Sequence, residues 1–278
     1  LVTGVQTCAL PICHPREHGD LSVDLYLPSP QSRLSDAGAG NSLYHVSWGM
    51  ATADTFVLEA RDIRKEYRSG EGELQVLNGV NLQVRRGELV AVMGASGAGK
   101  STLLHILGTL EAPTSGQLSI ADTDVATLDE GALSRFRNRH IGFVFQHHRL
   151  LPEFTALENA LMPALIARQG EAQRAAAIEL LEAVGLQQRM SHRPSELSGG
   201  ECQRVAMVRA LIMRPQIVLA DEPSGNLDEA TSAVLHGLLR DLAQRNQQAF
   251  VVMTHDEHLA ANMDRIGYLE AGVLRLED

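Results

Sequence analysis

The sequence predicts an α/β fold with a mostly parallel sheet, to which an antiparallel β subdomain and a helical subdomain are attached. Short apolar runs at 89–93, 217–220 and 250–253 alternate with longer helix-like segments. Buried parallel strands have this apolar character because helices cover both faces of the sheet. Two earlier runs, 56–58 and 82–84, flank a polar Ser-Gly-Glu-Gly-Glu loop and indicate the antiparallel part.

Consecutive helical patterns in the middle of the chain predict the helical subdomain, inserted at about 147–205. Residues 155–168 form the first pattern, although Pro163 should end or kink it. Residues 171–184 form the second, and the tail at 265–276 predicts a β-hairpin. In the second helix we expect one apolar face, made of Ala175, Ile178, Leu181 and Val184.

A glycine-rich loop follows the apolar run at 89–93. It reads G-A-S-G-A-G-K-S, which has the P-loop spacing. A strand, such a loop and a helix N-terminus place backbone N–H groups around a phosphate chain. We expect Lys100 to reach the β- and γ-phosphates and Ser101 to hold Mg²⁺, whereas a plain glycine turn would leave this Lys-Ser pair unexplained. The predicted nucleotide-binding residues are Gly94, Ala95, Ser96, Gly97, Ala98, Gly99, Lys100, Ser101 and Thr102.

Two adjacent acids end another predicted strand. Asp221 and Glu222 follow the apolar run at 217–220, downstream of the P-loop. Asp221 is placed to be a second Mg²⁺ ligand, and Glu222 is placed to polarise or deprotonate a water for attack on a γ-phosphate. Acids at a strand end are otherwise often solvated or cap the next helix. Their position downstream of a P-loop favours the catalytic interpretation.

Composition narrows the class of protein. The chain of 278 residues is 44% hydrophobic and 21% charged, as is ordinary for a globular protein. A formal net charge of -10 and an aromatic content of 4% argue against binding to nucleic acid. No apolar run is long enough to span a bilayer, so work at a membrane would require other chains as anchors. Three scattered cysteines are too few for a disulfide framework or a zinc site and fit a reducing, cytoplasmic setting.

A second motif points to a family. Residues 197–201 read L-S-G-G-E, which resembles the signature motif of ABC-transporter ATPase subunits, usually LSGGQ. Together with the P-loop, Gln146, the two acids and His255, it stands in the order that this family shows. The resemblance covers 54–278 and implies a P-loop NTPase core of the ABC ATPase type.

The resemblance implies a role for each matching position. Tyr67 would stack on adenine, Gln146 would contact Mg²⁺ and the attacking water, and His255 would be a catalytic residue that touches the γ-phosphate. The signature would bind the γ-phosphate of ATP held by a second copy of the chain, so that two ATP molecules join two subunits head to tail. Its binding residues are Ser198, Gly199, Gly200 and Glu201. The D-loop at that dimer interface would be Ser224, Gly225, Asn226, Leu227 and Asp228.

Residues around these motifs resemble the ATPases of LolCDE-type lipoprotein-releasing complexes, chiefly at 150–159, 192–196 and 220–228. This implies an ATPase that powers the release of lipoproteins from the bacterial inner membrane. It would lie peripherally on the cytoplasmic face, against two membrane subunits of the LolC and LolE kind that contact the lipoprotein. ATPases of MacB-type exporters and FtsE-type cell-division complexes are the alternatives, since they share a similar D-loop.

Three positions depart from the family pattern. Ser224 stands where a threonine is usual. Arg149 stands where a histidine is expected, which bears on the choice of membrane partner. Cys202 stands where an arginine is usual, and we expect the lost positive charge to weaken nucleotide contacts slightly.

The first residues have a different character. Residues 2–12 resemble the translation of a sequencing-library adapter, and 13–49 mix polar residues, Pro and Gly without periodicity. A signal peptide is the rival interpretation, but no positive stretch precedes the short, interrupted apolar run. We expect 1–49 to be a disordered or artefactual extension, Met50 to be the natural start and 54–278 to be the ATPase domain. An intact mass that includes the first 49 residues, measured on protein from its own chromosomal locus, would contradict this.

Overall fold

Two β-sheets organise the part of the chain that the computed structural model describes, namely residues 56–69, 72–225 and 229–277. In chain order the strands are β1 (Phe56–Ser69), β2 (Gly72–Arg85), β3 (Leu89–Met93), β4 (Ser115–Ile120), β5 (Thr123–Asp124), β6 (Ile141–Val144), β7 (Ile217–Asp221), β8 (Ala249–Met253), β9 (Arg265–Glu270) and β10 (Val273–Glu277). The helices are α1 (Lys100–Leu107), α2 (Glu130–His140), α3 (Ala156–Ile166), α4 (Gly170–Ala183), α5 (Gly199–Leu211), α6 (Glu229–Asn246) and α7 (Glu257–Ala260).

The smaller sheet is antiparallel, as predicted, with strand order β2-β1-β4-β5. Over the second half of β2, from Val80 to Arg85, buried and exposed residues alternate, so that Leu82 and Val84 face the core. This period-two pattern is the reason for a half-buried sheet at this position in the chain.

The larger sheet has the order β10-β9-β3-β8-β7-β6 and is parallel from β9 through β6. One face packs against α1 and the antiparallel sheet, through residues such as Leu103 and Leu107. The other face packs against α5 and α6, through Met207 and Leu239. The predicted mostly parallel sheet with two covered faces is therefore confirmed. The carboxyl ends of β3, β7 and β8 lie side by side at one edge, where open α/β sheets bind ligands.

The tail forms the predicted hairpin, in which β9 and β10 pair antiparallel. Ala271 and Gly272 have φ values of 48° and 77° and make the turn between these strands.

The helical subdomain has its own apolar core, in which α3, α4 and the first half of α5 pack together. Of the two predicted effects of Pro163, an end of the helix is wrong, because α3 continues to Ile166, and a kink stays a prediction. Burial of Ala160 and Ala164 against the neighbouring helices outweighs the hydrogen bond that the proline cannot make. The Asn138 side-chain amide also donates to the Pro163 carbonyl over 3.1 Å.

The expected apolar face of α4 is partly wrong. Ala175 is exposed and Ile178 is half-buried, whereas Ala177, Leu181 and Val184 are buried. Three consecutive alanines precede Ile178, so the sequence pattern alone offered more than one face of similar apolar character.

The predictions for residues 1–49 and for Met50 fall outside the described residues, as do Asn226, Leu227 and Asp228 of the D-loop. Among the helices that the structure describes, none combines the length and the apolar character needed to cross a membrane.

Candidate nucleotide site

The P-loop connects the buried strand β3 to α1, which begins at Lys100. Gly97 and Gly99 have φ values of 80° and 101°, a left-handed conformation that favours glycine. No side chain caps the N-terminus of α1, so its first N–H groups have no side-chain acceptor within the helix cap. The helix dipole and these N–H groups favour an anion at this end of α1.

Positive charge lies directly beside the loop. The Lys100 ammonium donates to the Gly94 carbonyl over 2.6 Å and to the Ala95 carbonyl over 3.1 Å. These contacts hold the ammonium at the mouth of the loop, where a phosphate bound to the backbone N–H groups would lie.

Ser101 and Asp221 meet at the start of α1. The Ser101 hydroxyl donates to Asp221 Oδ2 over 3.3 Å. Burial raises the pKa of the Asp221 carboxyl above its ordinary value, and the hydrogen bond from Ser101 acts in the opposite direction. A carboxylate that burial disfavours gains from a nearby cation, and hydroxyl and carboxylate oxygens are the ligands that Mg²⁺ prefers. The two residues therefore fit a magnesium ion.

Glu222 is held by two side chains from the adjacent strand end. Its side chain lies beyond β7, and the residue is 8% exposed with a φ of 46°. Oε1 accepts from His255 Nδ1 over 2.6 Å, and Oε2 accepts from the Thr254 hydroxyl over 3.1 Å. The structure thus brings two of the three predicted catalytic residues, Glu222 and His255, into contact, and the third is Gln146. Thr254, which is fully buried, is a site residue that the sequence did not predict. Its position between an apolar strand and His255 could have indicated it.

One cavity of about 770 Å³ joins the predicted elements. Gln146 lies in its wall although it belongs to a different strand–loop connection, the one after β6. Val76 of β2 adds an apolar wall that the sequence did not indicate. Ala98 is outside the lining, and its N–H donates to the Ala95 carbonyl over 3.1 Å. The lining residues are Val76, Gly94, Ala95, Ser96, Gly97, Gly99, Lys100, Ser101, Thr102, Gln146, Asp221, Glu222 and His255.

The loop that carries Gln146 is tied to α5. The Gln203 side-chain amide donates to the Phe145 carbonyl over 3.0 Å, and Gln203 is 3% exposed. Because this buried amide donates to the backbone next to Gln146, it holds the Gln146 loop in position. Sequence reasoning missed it because a glutamine within a helix gives no local signal.

Tyr67 and the signature do not line this cavity. The Tyr67 hydroxyl donates to Glu111 over 2.9 Å, and its ring lies 5.1 Å from the Lys65 ammonium. Tyr67 as a whole is 36% exposed. Its role against adenine stays a prediction.

The signature forms the N-terminus of α5. Ser198 is the N-cap, and its hydroxyl accepts from the Glu201 N–H over 3.2 Å. The Glu201 carboxylate accepts in return from the Ser198 N–H over 2.8 Å, which completes a capping box. Nothing lies within 4 Å of the Cβ position of Gly199, so the backbone there is open to a close approach.

Two further expectations can be compared with the structure. Ser224 is buried and Gly225 is exposed, at the start of the predicted D-loop. The Cys202 side chain is 2% exposed and packs in the core of the helical subdomain, and its expected effect on nucleotide contacts stays a prediction. Its thiol donates to the Pro194 carbonyl over 3.6 Å.

A second cavity, of about 350 Å³, lies between α2, β6, α3 and α5, and we call it the lateral groove. The Arg149 guanidinium lies 4.3 Å over the Phe145 ring. Arg209 donates to the carbonyls of His148 and Arg149 over 2.7 and 2.8 Å. Ile166, which is 68% exposed, contributes an apolar wall. The groove therefore combines apolar surface with positive charge.

A P-loop, an oxygen-ligand pair for Mg²⁺ and a buried carboxylate beside a histidine share one edge of a parallel sheet. This combination defines a nucleotide-hydrolysing protein of the P-loop class.

The comparisons with known proteins identify the family. Residues 77–225 match the family model described as ABC transporter. The lipoprotein-releasing system ATP-binding protein LolD of Shewanella denitrificans is 51% identical over 226 residues, which is 81% of this chain and 97% of that protein. LolD of Myxococcus xanthus is 53% identical over 210 residues, 75% of this chain and 94% of that protein. The chain belongs to the ABC transporter family.

Solved structures agree with this assignment. The structure of a dimeric bacterial ABC transporter cassette aligns with this chain with a TM-score of 0.75 and 40% sequence identity. The alignment covers 80% of this chain and 98% of the cassette's chain. A dimeric ATP-binding cassette in a post-hydrolysis state, bound to ADP and phosphate, has a TM-score of 0.75 and 39% identity over the same shares. The fold predicted from the sequence is thus confirmed as that of an ABC ATPase.

Proposed function

We propose that this chain is the ATPase subunit that powers the release of lipoproteins from the bacterial inner membrane, as a peripheral subunit on the cytoplasmic face. The observation that carries the ATPase activity is the single cavity that joins the P-loop to Asp221, Glu222 and His255. The lipoprotein-releasing role is supported by sequence identities of 51% and 53% to LolD proteins, across nearly the whole length of those proteins.

The described residues divide the chemistry among themselves. The backbone N–H groups of the P-loop and Lys100 bind the phosphates. Ser101 and Asp221, with Gln146, would hold Mg²⁺, which when bound neutralises phosphate charge. Glu222 accepts the proton of the attacking water. His255, which contacts Glu222 over 2.6 Å, orients that carboxylate and lies at the cavity wall, where it can donate to a γ-phosphate.

The signature would complete the site of a second copy. Within one chain it lies outside the phosphate cavity, yet it presents a helix N-terminus and the open backbone of Gly199. Such a surface suits a phosphate brought by another molecule. The dimeric state of the similar solved cassettes also supports a head-to-tail dimer in which ATP lies between P-loop and signature.

The lateral groove would receive the membrane subunits. Ile166 in the wall of the groove is 68% exposed, and such a large apolar side chain favours a protein partner. Arg149 adds a cation for an acidic side chain of that partner. We therefore place the contact with two subunits of the LolC and LolE kind here, and these subunits in turn contact the lipoprotein.

Co-purification from native membranes tests this assignment. We expect an affinity-tagged chain to recover two different membrane subunits together with bound lipoprotein. An Ile166→Asp variant should lose them, whereas Leu74→Asp, at a 60% exposed position on β2, should retain them. Recovery of one large exporter chain would favour a MacB-type role, and recovery of a division protein would favour an FtsE-type role. Either result would contradict the lipoprotein assignment.

A further inference from the structure

An arginine outside the known motifs contacts the signature. Arg189 lies in the turn between α4 and α5, and its Nε donates to Glu201 Oε1 over 3.1 Å. The exposed fractions of the two side chains are 46% for Arg189 and 19% for Glu201. The other carboxylate oxygen accepts from the Ser198 N–H. Both oxygens of Glu201 are therefore engaged within the chain, one by the backbone and one by a cation.

The turn that carries Arg189 is itself fixed. Arg189 N–H donates to the Leu186 carbonyl over 2.9 Å, and the His192 N–H donates to the Arg189 carbonyl over 3.0 Å. The His192 carbonyl accepts from the Ala156 N–H over 2.8 Å, which attaches the turn to α3. The guanidinium Nη1 also lies 3.3 Å from His192 Nε2. The arginine is thus held in place by backbone and side-chain contacts within the chain.

Glu201 creates an electrostatic problem for a phosphate-binding signature. A carboxylate in the first turn stabilises a helix N-terminus. The Ser198 N–H is the main cause that lowers the pKa of Glu201; burial acts in the opposite direction, and the Ser198 and Arg189 side chains lower this pKa further. The same negative charge repels a phosphate that approaches this N-terminus. A signature that ends in Glu therefore needs a compensating cation that a signature ending in Gln does not.

We propose that Arg189 is a positioning residue that compensates the charge of Glu201 and so allows the signature to accept the γ-phosphate of ATP held by a second copy. The inference rests on the proposed head-to-tail dimer and names a residue that makes this dimer possible. Arg189 acts through Glu201, and its partner is a carboxylate rather than the phosphate itself.

The test measures ATP-dependent dimerisation of the full chain in a Glu222→Gln background, by sedimentation velocity with Mg²⁺ and ATP. Adding Arg189→Gln should weaken the dimer roughly 5- to 30-fold, because an uncompensated Glu201 carboxylate then repels the phosphate at each of the two sites in the dimer. Adding Glu201→Gln as well should restore dimerisation, since the charge to be compensated is then absent. An Arg174→Gln variant, at an exposed position on α4, is the control and should dimerise like its parent.

The outcomes separate the two proposals. Unchanged dimerisation by Arg189→Gln would overturn the role of Arg189. A loss that Glu201→Gln does not restore would also overturn it, because direct contact with phosphate or a general structural role would then explain the effect. ATP affinity of dilute monomers, measured with a fluorescent analogue, should stay unchanged in every variant, and a loss there would indicate misfolding and contradict the specific role. A parent that stays monomeric with ATP would overturn the dimer, and the inference with it.

Discussion

The two parts of the candidate site are built in different ways. The P-loop, Asp221, Glu222 and His255 come from distant parts of the chain, and the parallel sheet brings them into one cavity. The signature is local: Ser198 and Glu201 satisfy each other at the start of one helix. The first part therefore depends on the whole fold, whereas the second depends on one helix terminus and on what approaches it.

This difference predicts how variants behave. Changes in the P-loop part should act on a single chain, in nucleotide binding or in the chemical step. Changes in the signature should leave single-chain binding intact and should depend on protein concentration, because in the proposed dimer a second copy supplies the ATP. The four predictions below test this separation.

The largest effect is expected for Glu222→Gln. Removal of the base should lower the ATPase rate about 10²- to 10⁴-fold, the range for general-base catalysis, while ATP affinity is retained. Steady-state phosphate release and calorimetric ATP binding measure the two quantities. Substantial residual turnover would contradict the assignment of Glu222 as the base.

Lys100→Ala should act on binding in a single chain. Loss of a charged hydrogen-bond donor costs about 1.5–3 kcal/mol, so ATP affinity should fall about 10- to 100-fold. Isothermal calorimetry on dilute protein measures it. Arg275→Ala removes a cation from the exposed face of β10 and should bind ATP normally. Equal affinities of the two variants would show that Lys100 does not contact the phosphates.

Thr254→Val tests the buried support of the base. The substitution keeps the shape of the side chain but removes the hydroxyl that donates to Glu222. We expect kcat to fall about tenfold with little change in KM, since a hydrogen bond to a charged group is lost. Thr254→Ser keeps the donor and should retain most activity. If both variants are equally impaired, packing rather than the hydrogen bond explains the loss.

Ser198→Ala should have the smallest effect on turnover, and this effect should depend on protein concentration. Loss of an N-cap costs about 1 kcal/mol, or about fivefold in an equilibrium. We expect turnover to fall by that factor at low protein concentration and to recover as the concentration rises. Asp129→Ala removes the N-cap of α2 in the same way and should lack this concentration dependence. A fall in single-chain ATP affinity in Ser198→Ala would contradict the separation.

The sequence predicted most of the P-loop part because its residues follow apolar strands. Lys100, Asp221 and His255 each stand directly after or close to such a run, and parallel strands bring their carboxyl ends to one edge. Thr254 and Val76 could not be assigned in the same way. Their roles depend on which strand lies beside which, and no local sequence pattern predicts the order β3-β8-β7.

The misses in the helical subdomain have a common cause. Which face of α4 is buried, and whether α3 survives Pro163, are decided by packing against other helices rather than by periodicity. Arg189 was missed for another reason: its partner Glu201 is twelve residues away across a turn, and no sequence spacing indicates an ion pair of this kind.

The hydrogen bond from Gln203 to the Phe145 carbonyl has a thermodynamic consequence. It joins the loop that carries Gln146 to the helix that begins with the signature, and Phe145 also lies in the wall of the lateral groove. If a partner in that groove changes the affinity of the chain for ATP through this bond, then ATP must change the affinity for the partner by the same factor, because coupling free energies are reciprocal. Weakening the bond in Gln203→Leu would then lower both couplings together.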